Sequence, residues 1–269
     1  MAACFLLKKV YTQIKQGLIP AELSYVFCNR ILGESGPSDA LIKLVHDCHL
    51  PVLSLSSKTF LPDLRKQGWE REPLKLQEWR LQYDQAVSQL IQKQQVDLIV
   101  LVGYMLIVSP VLCNYYPMLN LHPAKPGGPA GTWQEVIWQL IAERAREAGA
   151  MMHLVTEELD KGPPVTYYTF DLTKEEYQKH RNELYIKLKT MPLTQVIRDE
   201  GESNHYFQQI RAEGVKREPA LIIQTLKLLA EETLTVKDGN AFDHSGKLLA
   251  GYCINREIDA WLAQEEKCQ

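Results

Sequence analysis

The chain has 269 residues, 45% of them hydrophobic, and a formal net charge of −3. That length carries one large core domain with an appendage, and the interspersed charge excludes the basic footprint of a nucleic-acid or acidic-membrane binder. No apolar run reaches the roughly 20 residues that a bilayer span needs, and residues 1–7 lack the charged start and long apolar stretch of a signal peptide.

Residues 3–16 read as a helix. Residues 23–28 are a short apolar run ending at Asn29-Arg30, followed by a Gly/Ser/Pro loop over 33–38. A helix is predicted over 38–49, with Leu41, Ile42, Val45 and Cys48 on one face, and a strand over 51–56. Residues 78–95 give a stronger helix whose stripe of Trp79, Tyr83, Val87, Leu90 and Ile91 is core packing. The β-branched and Leu run over 96–102 predicts a strand buried on both faces. Further strands are expected over 118–122, 151–155 and 165–170, with a helix over 132–147. Such alternation argues an α/β fold with a mostly parallel, Rossmann-like, right-handed βαβ sheet flanked by helices.

Beyond residue 172 the pattern changes. Residues 173–230 are helix-rich and charged, with breaks at Pro192 and at Gly201-Glu202-Ser203-Asn204. Residues 234–251 predict a β-hairpin, with turn chemistry at Asp238-Gly239-Asn240 and His244-Ser245-Gly246. Residues 256–266 close the chain as a helix. The expected organisation is a core over 1–172 and an extension over 173–269. The six cysteines, Cys4, Cys28, Cys48, Cys113, Cys253 and Cys268, are scattered without a CxxC pair. That usage suits a reducing cytoplasm.

Two segments concentrate chemistry where apolar strands run out into turns: Leu119-Asn120-Leu121-His122-Pro123, and Thr156-Glu157-Glu158-Leu159-Asp160-Lys161-Gly162-Pro163. An Asn can donate to a developing oxyanion, a His can move a proton near neutral pH, and an Asp can orient or charge that His. The combination points to acyl-group transfer. With Asp97-Leu98-Ile99-Val100-Leu101-Val102-Gly103-Tyr104-Met105, these blocks resemble the folate-dependent formyltransferase family in order and spacing. The similarity covers roughly residues 20–172, with a weaker match from about 205 to 250.

The resemblance implies transfer of a formyl group from 10-formyltetrahydrofolate to a small-molecule amine, with glycinamide ribonucleotide of purine synthesis as the default acceptor. Asn120 and protonated His122 would stabilise the oxyanion, and Asp160 would hold or protonate His122 and assist proton transfer through a water. The folate would lie against Val102, Gly103, Tyr104, Met105 and Leu106, and against the loop carrying Glu157, Glu158, Leu159 and Gly162. Glu218 matches by position the family's acidic residue that accepts a hydrogen bond from the substrate's ribose. No metal, membrane or nucleic acid is implied. The same three side chains allow hydrolysis of formyl-tetrahydrofolate, another amine acceptor, or a non-catalytic folate- or partner-binding relative.

The chain also departs from the family. Met1 falls inside the Gly-rich loop that follows the family's first strand and binds the substrate phosphate, so the sheet is expected to be one central strand short. The basic residue usual after Gly-Tyr-Met is Leu106. After Pro123 the family's Ser-Leu-Leu-Pro is replaced by Ala124-Lys125-Pro126-Gly127-Gly128-Pro129, and 173–205 reads as a helical insertion. Lys125 is the local candidate for a substrate anion, while the Gly127–Gly131 stretch reads as a stiff connection to a helix capped by Thr132. His153 reads as a buried structural histidine, and His46 and His49 beside Cys48 as surface residues. Glu218-Pro219 also fits the opening of a helix.

Overall fold

The structure, a computed structural model, describes residues 2–70 and 72–267. In chain order the elements are α1 (Ala2–Lys15), β1 (Val26–Cys28), α2 (Gly36–Asp47), β2 (Val52–Ser54), α3 (Pro62–Glu70), α4 (Pro73–Ile91), β3 (Ile99–Leu101), α5 (Pro110–Cys113) and β4 (Met118–His122). They continue with α6 (Trp133–Ala142), β5 (Glu147–Leu154), β6 (Pro164–Asp171), α7 (Glu175–Lys187), α8 (Leu193–Asp199) and α9 (His205–Ala230). The last are β7 (Leu234–Lys237), β8 (Asn240–Asp243), β9 (Tyr252–Cys253) and α10 (Asn255–Lys267). Strand–helix alternation followed by helices gives the expected α/β class. Contacts divide the chain into one unit of residues up to Asn120 with Leu154–Gly162 and Leu229–Gly239, and a second of Leu121–His153, Pro163–Leu228 and the remainder from Asn240.

In the first unit β1 pairs parallel to β2, and β3 parallel to β4 with Leu101 opposite Asn120. Its core is the α4 stripe: Trp79, Tyr83, Val87 and Ile91 recur every four residues and are all at most 3% exposed, as a core-facing helix requires. The two aromatic rings stack at 5.0 Å. Their polar tips are satisfied, with Trp79 Nε1 donating to Phe60 O and Tyr83 OH to Leu55 O, both at 2.7 Å. Leu90, expected in this stripe, is 38% exposed, because at i+3 from Val87 it turns to the rim. The helix also starts earlier than its pattern suggested, at Pro73 in the first turn. A separate helix α3 precedes it, and Gly68 lets the two approach: a Cβ there would fall 2.3 Å from Leu76 N.

Strand β3 is shorter than expected and half-buried rather than buried on both faces. Ile99 and Leu101 pack against the aromatic core, while Val100 points the other way.

In the second unit β5 runs antiparallel to β6, and β6 parallel to β9. The antiparallel step departs from a βαβ reading because the connection over 155–163 is too short for a crossover, which needs a dozen or more residues. The expected helix over 132–147 stops at Ala142, since Arg144 takes φ 52 and residues from Glu147 join β5. Helix α9 runs through Glu218-Pro219 instead of opening there, with Pro219 and the following Ala220, Leu221, Ile222 and Ile223 all buried. The apolar burial of that turn outweighs the lost amide hydrogen bond. Near the end of the chain, β7 and β8 flank Asp238 and Gly239, both at positive φ, and Phe242 bridges Leu248. Among the described residues no helix is long and apolar enough to cross a membrane.

Candidate active site

Strand β4 is the first anchor of the candidate site. Successive side chains of a strand alternate, so Asn120 and His122 share a face while Leu119 and Leu121 take the other. Asn120 is half-buried and His122 is buried. The imidazole Nε2 lies 2.8 Å from Pro129 O. A carbonyl oxygen only accepts, so Nε2 carries the proton there. The His153 ring stands edge-on to His122, with centroids 6.1 Å apart, and is itself buried, as a structural histidine would be.

Asp160 sits in the loop that follows β5. Val155 N–H donates to Met118 O at 2.8 Å, fixing the start of this loop against the beginning of β4. The loop then closes on itself: a Cβ on the buried Gly162 would fall 1.7 Å from Leu154 O, so only glycine fits there. Between those points Asp160 is half-buried and takes φ 57, a left-handed conformation that Asp tolerates better than most residues. Thr156 Oγ1 donates to Glu158 O at 3.1 Å, and Glu158 pairs with Lys161 at 2.9 Å. The Lys161 hydrogen bond and charge hold Glu158 below the usual carboxylate range. Glu157 accepts from Asn114 Nδ2 at 3.3 Å, and Leu159 is exposed.

The segment after β3 belongs to the same unit as that loop. Gly103 takes φ +63, Met105 is 84% exposed, and Tyr104 and Leu106 pack against the α4 core. Tyr104 tilts against Phe27 with centroids 6.4 Å apart. Its hydroxyl is buried with no hydrogen-bond partner among the described residues, and burial pushes its ionisation well above the ordinary tyrosine value. Met105 and Leu159 are exposed apolar side chains on two loops of the first unit.

Asp84 escaped the sequence reading. It is 2% exposed, interrupts the apolar face of α4 next to Tyr83, and accepts the Ser109 N–H at 2.6 Å, so it ties down the far end of the segment carrying Tyr104 and Met105. Burial raises its carboxyl above the usual range, against the hydrogen bonds from Ser109. Its place one step after the core Tyr83 carried no signal of its burial.

In the second unit, Thr132 caps α6 as expected, in a full capping box with Glu135. Lys125 is ion-paired with Glu147, so its charge already has a partner within the protein. Glu218 pairs with Arg211 at 2.7 Å, and Arg211 lies over the Trp133 ring at 4.5 Å. These three residues line one small cavity with Pro123 and Tyr168. The sequence reading selected Glu218 and missed Arg211. His46 and His49 are exposed on and just after α2.

The formyl transferase family model matches residues 6–192. Phosphoribosylglycinamide formyltransferase of Saccharomyces cerevisiae is 31% identical over 112 residues, covering 37% of this chain and 52% of the yeast protein, about half its length. The fold resembles that of phosphoribosylglycinamide formyltransferase from Coxiella burnetii, with TM-score 0.60, 16% identity and 93% of each chain covered. It also resembles a formyltetrahydrofolate deformylase from Pseudomonas putida, with TM-score 0.55, 16% identity, 88% of this chain and 65% of the other. With the family model spanning most of its strands and helices, this chain belongs to the formyl transferase family.

Proposed function

We propose that this protein transfers the formyl group of 10-formyltetrahydrofolate to an amine, with glycinamide ribonucleotide as the acceptor to test first. The observation that carries the reading is the pair of Asn120 and His122 on one face of β4, with the imidazole fixed by Pro129 O. The amine nitrogen attacks the formyl carbon, and the carbonyl electrons move onto oxygen. The Asn120 amide donates to that oxyanion. His122, holding one proton on Nε2 toward Pro129, uses Nδ1 to carry and donate the second. Asp160 receives the proton lost by the attacking amine through a water. The intermediate collapses as the carbon–N10 bond breaks and N10 takes the proton that Asp160 received, passed back through the water, giving formylated amine and tetrahydrofolate. The pterin lies on Val102, Gly103, Tyr104, Met105 and Leu106 and on the loop of Glu157, Glu158, Leu159 and Gly162. Glu218, fixed by Arg211, reads an acceptor hydroxyl, and Lys125, ion-paired with Glu147, is the weaker anion contact.

The proposed division into a 1–172 core and a 173–269 extension rests on the change from strand–helix alternation to consecutive helices at Glu175. A cytoplasmic site of action follows from the same metabolic reading. Hydrolysis is the second reading, favoured by the fold likeness to a deformylase; water then replaces the amine on the same side chains.

Purified protein incubated with formyl-tetrahydrofolate, with and without glycinamide ribonucleotide, separates these readings by release of the deformylated folate. Acceptor-dependent release supports transfer and acceptor-independent release supports hydrolysis. No release under either condition defeats both.

A further inference from the structure

We propose that Arg30 and Arg65 form a binding site for a phosphate-class oxyanion at the carboxyl ends of β1 and β2. Every residue involved belongs to the first unit. The two strands stay paired past their ends, with Leu55 N–H donating to Cys28 O at 3.2 Å and Ser57 N–H to Asn29 O at 3.1 Å. Arg30 leaves this edge with its guanidinium bonded to Asn29 O at 2.9 Å and to the buried Ser57 hydroxyl. Arg65 reaches the same edge from α3. Its guanidinium lies 5.1 Å over the Trp79 ring, Trp79 stacks on Tyr83, and the Tyr83 hydroxyl donates to Leu55 O. The outer edge of parallel strands is where α/β proteins hold their ligands.

The site lacks an acceptor that its donors demand. Arg65 Nε is buried and has no hydrogen-bond partner among the described residues. A buried donor left unmade is costly, and charged donors most of all. Neither guanidinium forms an ion pair with a carboxylate among the described residues. Burial and the neighbouring Arg30 charge both press Arg65 below its ordinary value, so the two like charges feel each other. Lys58 adds a third cation beside the loop, its ammonium on Glu34 O at 3.4 Å. Glu34 lies within electrostatic range of Arg30 and Lys58. Its carboxylate is occupied by Ile31 N–H at 3.1 Å and by the Ser56 hydroxyl at 2.5 Å. Asp84, near Tyr83, is spent on Ser109 N–H. Two guanidiniums with no ion-paired carboxylate among the described residues, and Lys58 on the adjoining loop, call for a dianion, and guanidinium forks match the oxygen spacing of phosphate.

The site stands independently of formyl transfer, so inorganic phosphate alone is the probe. Calorimetric titration of the full chain should detect phosphate binding to the wild type and to His122→Ala alike. Arg30→Gln and Arg65→Gln should each bind at least about tenfold more weakly, while Lys216→Gln, which removes an exposed cation of the second unit that is paired with Glu266, should bind as the wild type does. Acetate should bind more weakly than phosphate. Absence of phosphate binding in the wild type, unchanged affinity in both arginine variants, or equal affinity for acetate would each overturn the assignment. Arg65 also packs on Trp79, so thermal melts accompany its variants. If Arg65→Gln fails to fold, Arg30→Gln and the charge-retaining Arg65→Lys decide the question.

Discussion

Asn120 and Asp84 are polar groups on core-facing elements, and they lead to different tests. In the proposed mechanism Asn120 donates to the oxyanion, and removing one such donor costs about 10²–10³ in rate. Asn120→Ala should lower kcat by that factor with little change in KM, measured as release of deformylated folate. Asp84 touches no substrate in the proposed mechanism. Its carboxyl is raised by burial, so the folded state holds the proton more tightly than the unfolded chain does. The stability this contributes is fully present below the unfolded value and is lost as pH rises through the folded value. Asp84→Asn keeps an acceptor for Ser109 N–H and removes the charge. Its stability relative to wild type should therefore rise with pH above the ordinary carboxylate range and then level off. Urea midpoints across that range check this, and a difference independent of pH would refute it. The Asn-x-His pair was legible because strand alternation fixes its shared face. Asp84 and Arg65 were not, because burial of an acid or a missing partner depends on residues remote in sequence.

At the scale of elements, short-range chemistry was readable and long-range pairing was not. Thr132 was recognisable as a cap, and its capping box with Glu135 is present. Thr132→Ala should destabilise by about 1 kcal/mol, seen as a lower denaturation midpoint without loss of activity at low temperature. The α4 stripe was legible from its spacing, but the start of α4 depended on Gly68 admitting Leu76 at close range. The antiparallel β5–β6 pair was obscured because each strand is apolar enough for either direction, and only the short link over 155–163 decides. That link depends on Gly162. Gly162→Ala drives a methyl into Leu154 O and should cost about 1–3 kcal/mol or more, with loss of activity that cooling does not restore. A variant retaining wild-type melting behaviour would show that the loop closes differently.

For the molecule as a whole, the two contact units interleave along the sequence, so no single cut separates them. A linear reading divides a chain by changes in composition, and contacts made between distant segments leave no such mark. Cys4, Cys28, Cys48, Cys113 and Cys253 are all free thiols, while Cys268 lies outside the described residues. Melting temperature should therefore be the same with and without a thiol reductant; a drop on reduction would reveal a crosslink. Dissecting the chemistry of the intact protein calls for replacements that alter charge alone. At Asp160 the main chain turns with φ 57, a shape that asparagine adopts readily and that alanine or a branched side chain resists. Asparagine is thus the replacement that silences the carboxylate while sparing the turn, whereas an alanine scan would mix loss of the proposed proton transfer with a displaced backbone.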